Sequence, residues 1–241
     1  MQYGFNMMLL RRFIIPSILL LFQTGLSNGQ MNNAVFDNLL TEFETHSLYV
    51  NAITQDNHGF IWIGTFEGLI RFDGIDYQTY LPSTGNERSI SDKLINTIFN
   101  DSEGNLWIGT RNGLNRYSYL TNDFEHFFSR QDDQNSLSNN EINTIAEDAD
   151  KNLWIGTLNG GLTKMIRVSE AGKESYRFTR CTNDPHNASS ISGNTVYSIV
   201  FDANGNGWVG TSEGLNFIER KNASSKNISF LQVKNNPSDP S

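Results

Sequence analysis

Residues 145–162 read IAEDADKNLWIGTLNGGL, and three other stretches of the chain repeat this phrase in one register. All four tryptophans of the 241-residue chain lie in it, at Trp62 (FIWIGT), Trp107 (NLWIGT), Trp154 (NLWIGT) and Trp208 (NGWVGT). The intervals between them are 45, 47 and 54 residues. An aspartate stands six residues before each indole (Asp56, Asp101, Asp148, Asp202), and an isoleucine three before each aspartate (Ile53, Ile98, Ile145, Ile199). A Gly-Leu pair follows each phrase: Gly68-Leu69, Gly113-Leu114, Gly161-Leu162 and Gly214-Leu215. Copies two to four are preceded by Ser-Ile/Leu-Ser (89–91, 136–138, 190–192). The first copy has Glu44-Thr45-His46 there instead.

Each copy translates into the same local structure. Asp opens a type I turn (DNHG, DSEG, DADK, DANG), with Gly at the left-handed position that a Cβ disfavours; Lys151 replaces that Gly in copy three, which implies slight strain. The turn joins a first strand ending at the Asp to a second strand carrying the Trp. Glu-Gly or Asn-Gly then closes a hairpin onto a third strand (LIRF, LNRY, LTKM, LNFI), and a variable fourth strand follows (DYQTY, FEHFF, SYRFTR, ISFLQV). No comparable helical period runs through the repeats. The LWIG phrase is apolar on both faces of its strand, whereas a sheet with one wet face would alternate. A four-stranded antiparallel meander of about 45 residues, covered on both faces, is the expected length and form of a propeller blade. The fold class is therefore all-β: a β-propeller of four-stranded blades, four of them present, as a partial propeller or, alternatively, closed with four blades. The Trp is the expected wedge between blades. The glycine two residues on (Gly64, Gly109, Gly156, Gly210) permits close approach on the same face. An open set of blades leaves the Trp side of a terminal blade uncovered, an apolar patch prone to association.

The amino terminus, MQYGFNMMLLRRFIIPSILLLFQTGLSNGQ, has the order of a secretory leader: Arg11 and Arg12, an apolar run from Phe13 to Phe22, then small residues. That run is too short to span a bilayer. The expected organisation is a signal peptide over 1–29, a lead-in over 30–46, and blades over 47–92, 93–139, 140–193 and 194–236. A connector over 237–241 ends the chain. The mature chain is expected to be exported, periplasmic, and without a membrane span.

Composition limits the chemistry. Lys plus Arg total 18 against 26 Asp plus Glu, a formal charge of −8, which argues against a nucleic-acid groove. One cysteine, Cys181, excludes a disulfide framework, and the four histidines form no metal motif. No metal and no cofactor is expected. Residues 202–213 satisfy the EF-hand calcium-loop pattern, but Trp208–Thr211 is a repeat strand and Asp202 aligns with three other turn aspartates. The loop reads as a turn and a strand.

The stretch from Ile145 to Leu162, together with GFIWIGTFEGLIRFDG (59–74) and the leader, resembles the two-component regulator propeller repeat. The resemblance covers roughly residues 36–236. It implies the N-terminal periplasmic sensor region of a hybrid two-component histidine kinase of Bacteroidota type, here truncated. It further implies a non-catalytic module whose ligand class is an oligosaccharide. Two other readings stand beside it: a secreted scaffold or interaction propeller, and a streptogramin-lyase-like propeller enzyme. In propellers, the loops between second and third strands share one face with the blade connectors. That geometry makes Glu67, Arg111, Asn112, Asn159 and Glu213 candidates for ligand binding, near connectors around Arg88, Asp132 and His186. No catalytic residue is assigned. Asp56, Trp62, Asp101, Trp107, Asp148, Trp154, Asp202 and Trp208 are read as the structural signature of the repeat.

Overall fold

The computed structural model describes residues 49–170, 172–225 and 227–233. The expected leader (1–29), the lead-in (30–46) and the connector (237–241) lie outside these residues. Four antiparallel sheets of four strands follow one another, each with its strands in sequence order. The first is β1 (Val50–Gln55), β2 (Ile61–Thr65), β3 (Leu69–Phe72) and β4 (Tyr77–Tyr80). The second is β5 (Ile95–Asn100), β6 (Leu106–Thr110), β7 (Gly113–Ser118) and β8 (Asp123–Phe127). The third is β9 (Ile142–Glu147), β10 (Leu153–Thr157), β11 (Leu162–Glu170) and β12 (Lys173–Cys181). The fourth is β13 (Val196–Phe201), β14 (Gly207–Thr211), β15 (Gly214–Ile218) and β16 (Leu231–Val233). These are the blades of a partial, unclosed propeller.

The register places every Trp on one face of its sheet. Trp62 pairs with Thr54 and Arg71, while Ile63 pairs with Ile53 and Ile70 on the opposite face. Each Trp face meets the Ile face of the next sheet, and three apolar clusters result. Trp62, Leu69 and Tyr80 pack against Ile98, Leu106, Ile108 and Tyr117. Trp107 packs against Ile145, Leu153, Ile155 and Met165. Trp154 packs against Ile199, Val209 and Ile218. Trp62, Trp107 and Trp154 are 0% exposed. At about 25 cal/mol per Å² and about 200 Å² of indole, each burial contributes on the order of 5 kcal/mol. Among the described residues no sheet follows that of Trp208, which is 36% exposed.

The second strands show the same logic residue by residue. β6 and β10, in the inner sheets, are buried at every position. In β2, Ile61 and Ile63 are only partly covered, on the face opposite Trp62, which none of the other described sheets packs against extensively. In β14 it is Trp208 and Gly210 that are open, on the opposite face. The glycine after each Trp is a point of close approach. A Cβ on Gly109 would lie 2.6 Å from Ile142 Cγ2, and one on Gly156 2.6 Å from Val196 Cγ1. Lys151 takes the left-handed turn position with φ of 63°.

Two features depart from the sequence reading. β11 and β12 form a hairpin of nine residues per strand, far longer than the LTKM and SYRFTR segments. It carries Arg167 out to Glu103 and Tyr176 out to Arg116 of the second blade, with its own Glu174 beside Arg167. A one-turn helix, α1 (Arg220–Ala223), interrupts the link from β15 to β16. It buries Ala223 and presents its carbonyl to Lys164 Nζ at 2.6 Å, a tertiary partner that no local helical period would announce.

Candidate functional site

The signature residues form a hydrogen-bonded unit. Asp101 Oδ1 accepts from the Glu103 and Asn105 amides, and Oδ2 accepts from Trp107 Nε1 at 2.9 Å. Asp56 and Asp148 do the same for Trp62 (2.7 Å) and Trp154 (2.8 Å). One carboxylate thus pins a turn and orients the indole that the next sheet covers, which explains why Asp and Trp recur six apart. Asp202 keeps the turn bonds to Asn204 and Asn206. No bond from Trp208 Nε1 reaches it among the described residues. The Asn206 amide, backbone then side chain, holds the Asp202 carboxyl below its usual range. Its oxygens are committed to their own turn, and β14 separates it from Glu213, so the EF-hand pattern does not form a calcium loop here.

Two further positions of the third strand complete the unit, each in three of the four copies, and the sequence reading did not single them out. Arg71, Arg116 and Lys164 lie beside the indoles of Trp62, Trp107 and Trp154, with the cationic centre 5.9, 5.8 and 5.3 Å from the ring centroid. Each donates a hydrogen bond into the next repeat: Arg71 to Tyr117 OH, Arg116 to Tyr176 OH and Lys164 to the Ala223 carbonyl of α1. Asn115 accepts from the Ser91 amide and donates to its hydroxyl, and Asn216 does so with Ser192. Thr163 takes this place beside Ser138. The signal was visible in the strands LIRF, LNRY, LTKM and LNFI, but its meaning depends on the facing sheet.

The five ligand candidates sit in the turns between second and third strands. Thr65, Thr110 and Thr211 hydroxyls accept the Glu67, Asn112 and Glu213 amides. These turns meet the connectors. Lys93 Nζ contacts Glu67 at 2.8 Å, the Arg111 amide donates to the Leu94 carbonyl, and Thr195 donates to Asn159 Oδ1 at 2.9 Å. Asn159 adopts φ of 63° in its turn. The five therefore lie at the same end of their sheets, with Glu67 and Asn159 already engaged by a neighbouring connector.

Two grooves lie elsewhere. One, of about 800 Å³, is lined by Arg88, Arg116, Tyr119, Phe124, Glu125 and His126. A second, of about 530 Å³, shares Glu87 and His126 and adds Asn86, Ser89 and Phe128. Arg88 grips Asp123 through two bonds and holds that carboxyl below its usual range. None of the five turn candidates lines either groove. Asp132 lies exposed in its connector. Burial pushes the Cys181 thiol up to about 12, so it is no nucleophile. Among the described residues no group of three or more His, Cys, Asp or Glu could hold a metal ion. None of their helices is long and apolar enough to cross a membrane.

Sheets wedged by Asp-bonded indoles in one repeating register define the class: an all-β propeller module assembled from tandem blades. The model of the two component regulator propeller family matches four stretches of the chain, residues 46–67, 89–112, 136–159 and 190–213. Among solved structures it is similar to the extracellular domain of a hybrid two component system from B. thetaiotaomicron. The identity is 27% and the TM-score 0.58, over 77% of this chain and 25% of that one. It shares the fold alone with PorZ of Porphyromonas gingivalis, at 19% identity and TM-score 0.53 over 79% of this chain and 28% of that one. The same holds for virginiamycin B lyase of Staphylococcus aureus, at 14% and 0.50 over 79% and 57%. No curated protein matches the chain. The chain spans about a quarter to a third of the length of the two component extracellular domains it resembles. It is a propeller module similar to the extracellular domain of a two component system.

Proposed function

We propose that the chain is the ligand-sensing part of a two-component receptor and that its ligand is an oligosaccharide. The observation that carries this reading is the four-copy register, matched by the family model and by the extracellular domain at 27% identity. Glu67, Arg111, Asn112, Asn159 and Glu213 supply carboxylate, guanidinium and amide groups at one end of adjacent sheets, the chemistry that sugar hydroxyls require. Binding would act by favouring one arrangement of receptor propellers over another, so its effect equals the difference in affinity for the two. Partner surfaces include the terminal sheet faces, through which the module self-associates.

The test is calorimetric titration of residues 30–241 with a panel of plant and host oligosaccharides. A saturable heat that falls at least tenfold in affinity on Arg111→Ala with Asn112→Ala supports the turn site. A loss on Arg88→Ala with His126→Ala, and none in the turns, moves the site to the groove of about 800 Å³. Silence across the whole panel sinks the oligosaccharide reading.

A further inference from the structure

Several grooves of the described residues lie where a blade connector meets the outer strand of a sheet. The connectors are built alike. The Ser83, Arg130 and Asp184 amides donate to the hydroxyls of Ser89, Ser136 and Ser190. The Asn86, Asp133 and Asn187 side chains each accept the amide two residues on. From the outer strands, His126, Arg180 and Gln232 donate to the carbonyls of Ser89, Ser136 and Ser190. A wall held this way is in place before any ligand arrives, so little ordering is left to oppose binding.

Phe128 gives one of these grooves an open aromatic ring. It lines the groove of about 530 Å³ beside Asn86, Glu87 and His126, and is 37% exposed. Its position follows the last residue of the fourth strand, since Leu114 pairs with Phe127 as Leu69 does with Tyr80, Leu162 with Cys181 and Leu215 with Val233. The other copies carry Leu81, Thr182 and Lys234 there, so the aromatic belongs to copy two alone.

Two contacts fix the ring. His126 meets it at 5.6 Å between centroids, with the planes at 62°. Gly113 lies against it: a Cβ there would stand 2.7 Å from Phe128 Cε1, and the φ of 113° also favours glycine. The groove stops short of Arg111 and Asn112 but touches their turn. Ser91, in its wall, lies 3.0 Å from Thr110 Oγ1, the hydroxyl that accepts the Asn112 amide.

The charges of the connector select the ligand. Arg88 is bound to Asp123, while Glu87 has no ion-pair partner among the described residues. An uncompensated carboxylate repels an acidic ligand and accepts bonds from hydroxyls. An open ring beside a carboxylate and an amide complements a pyranose with equatorial hydroxyls, whose faces expose C–H groups and whose rim exposes O–H groups.

We propose that Phe128 is the stacking platform for one pyranose ring of a neutral oligosaccharide, with Glu87 and Asn86 taking its hydroxyls and the sugar chain running on toward the Arg111–Asn112 turn. The proposal rests on the oligosaccharide reading above and names the residue that holds the sugar.

The test is calorimetric titration of residues 30–241 with cellohexaose and xylohexaose, neutral chains of equatorial pyranoses, and with hexagalacturonate as an acidic chain. At least one neutral probe is expected to give saturable heat, with hexagalacturonate weaker by about tenfold or more. Phe128→Ala should lower the neutral affinity by about tenfold or more, and Phe128→Tyr should retain it. Leu81→Ala, the counterpart in copy one, should leave it unchanged, and circular dichroism shows each variant folded. In the wild type, irradiation of aromatic protons should transfer saturation to the C–H protons of the bound sugar. Unchanged affinity in folded Phe128→Ala overturns the platform and leaves the oligosaccharide reading standing. Tighter binding of hexagalacturonate overturns the neutral ligand. Silence with all three probes overturns the proposal, while heat from other members of the wider panel would still uphold the oligosaccharide reading.

Discussion

Asp101→Ala and Asp202→Ala delete the same side chain from two copies of one turn, and the structure requires them to cost different amounts. Both lose bonds from two turn amides and one asparagine side chain. Water can reach part of each turn, so that shared loss is about 1 kcal/mol. Asp101→Ala also strands Trp107 Nε1, which bonds its carboxylate at 2.9 Å on a ring with no exposure. A buried donor without a partner costs a further 1–3 kcal/mol or about 2. Trp208 makes no such bond and is already partly open. The expected losses are about 3 kcal/mol for Asp101→Ala and about 1 kcal/mol for Asp202→Ala. In urea, with a slope of about 2 kcal/mol/M, the midpoints should separate by about 1 M. The assay is equilibrium unfolding followed by indole fluorescence, at a dilution where the chain is monomeric. Equal midpoints would refute the claim that the carboxylate's value lies in orienting a covered indole.

Other outcomes follow from the same packing. Gly109→Ala should destabilise by about 1–3 kcal/mol, because its Cβ would meet Ile142 and Thr97 methyls at 2.6 Å. Gly210→Ala, with nothing nearer than 4.0 Å, should be neutral or slightly stabilising, and urea midpoints read both. Burial raises the Cys181 thiol from 9.0 to about 12, so the folded state favours the neutral thiol. The stability this gives is full below pH 9 and is lost as pH climbs toward 12, at no more than about 1.4 kcal/mol per pH unit. Cys181→Ala should flatten the fall in urea midpoint between pH 9 and 10, and an unchanged slope would contradict the assignment.

The strands were legible because one register fixes them four times over. Trp, Gly, Asp and Gly-Leu each carry a distinct geometric demand, and a shift by one residue would turn every indole away from its cluster. The covered faces were legible for the same reason, since an LWIG strand with no polar alternation needs a neighbour on each side. The parts that stayed hidden depend on what lies opposite. Arg71, Arg116 and Lys164 look like ordinary strand cations until the facing Tyr117, Tyr176 and Ala223 carbonyl are in place. The α1 turn exists to bring that carbonyl to Lys164, and no periodicity in ERKNASS could encode it. The grooves around Arg88 and His126 arise between elements of different repeats, so no single copy contains them.

The direction of covering has a consequence for biogenesis. Each of the three covered indoles, Trp62, Trp107 and Trp154, is sheltered by the sheet that comes later in the chain, never by the one before. A polypeptide threading out of a translocation pore amino end first therefore carries one bare ring at any moment, and the sticky area held out to chaperones and proteases stays constant as the chain lengthens. Nearest-neighbour covering of this sort lets blades be added or removed during evolution at a nearly fixed energetic step, with the open end alone left to be managed.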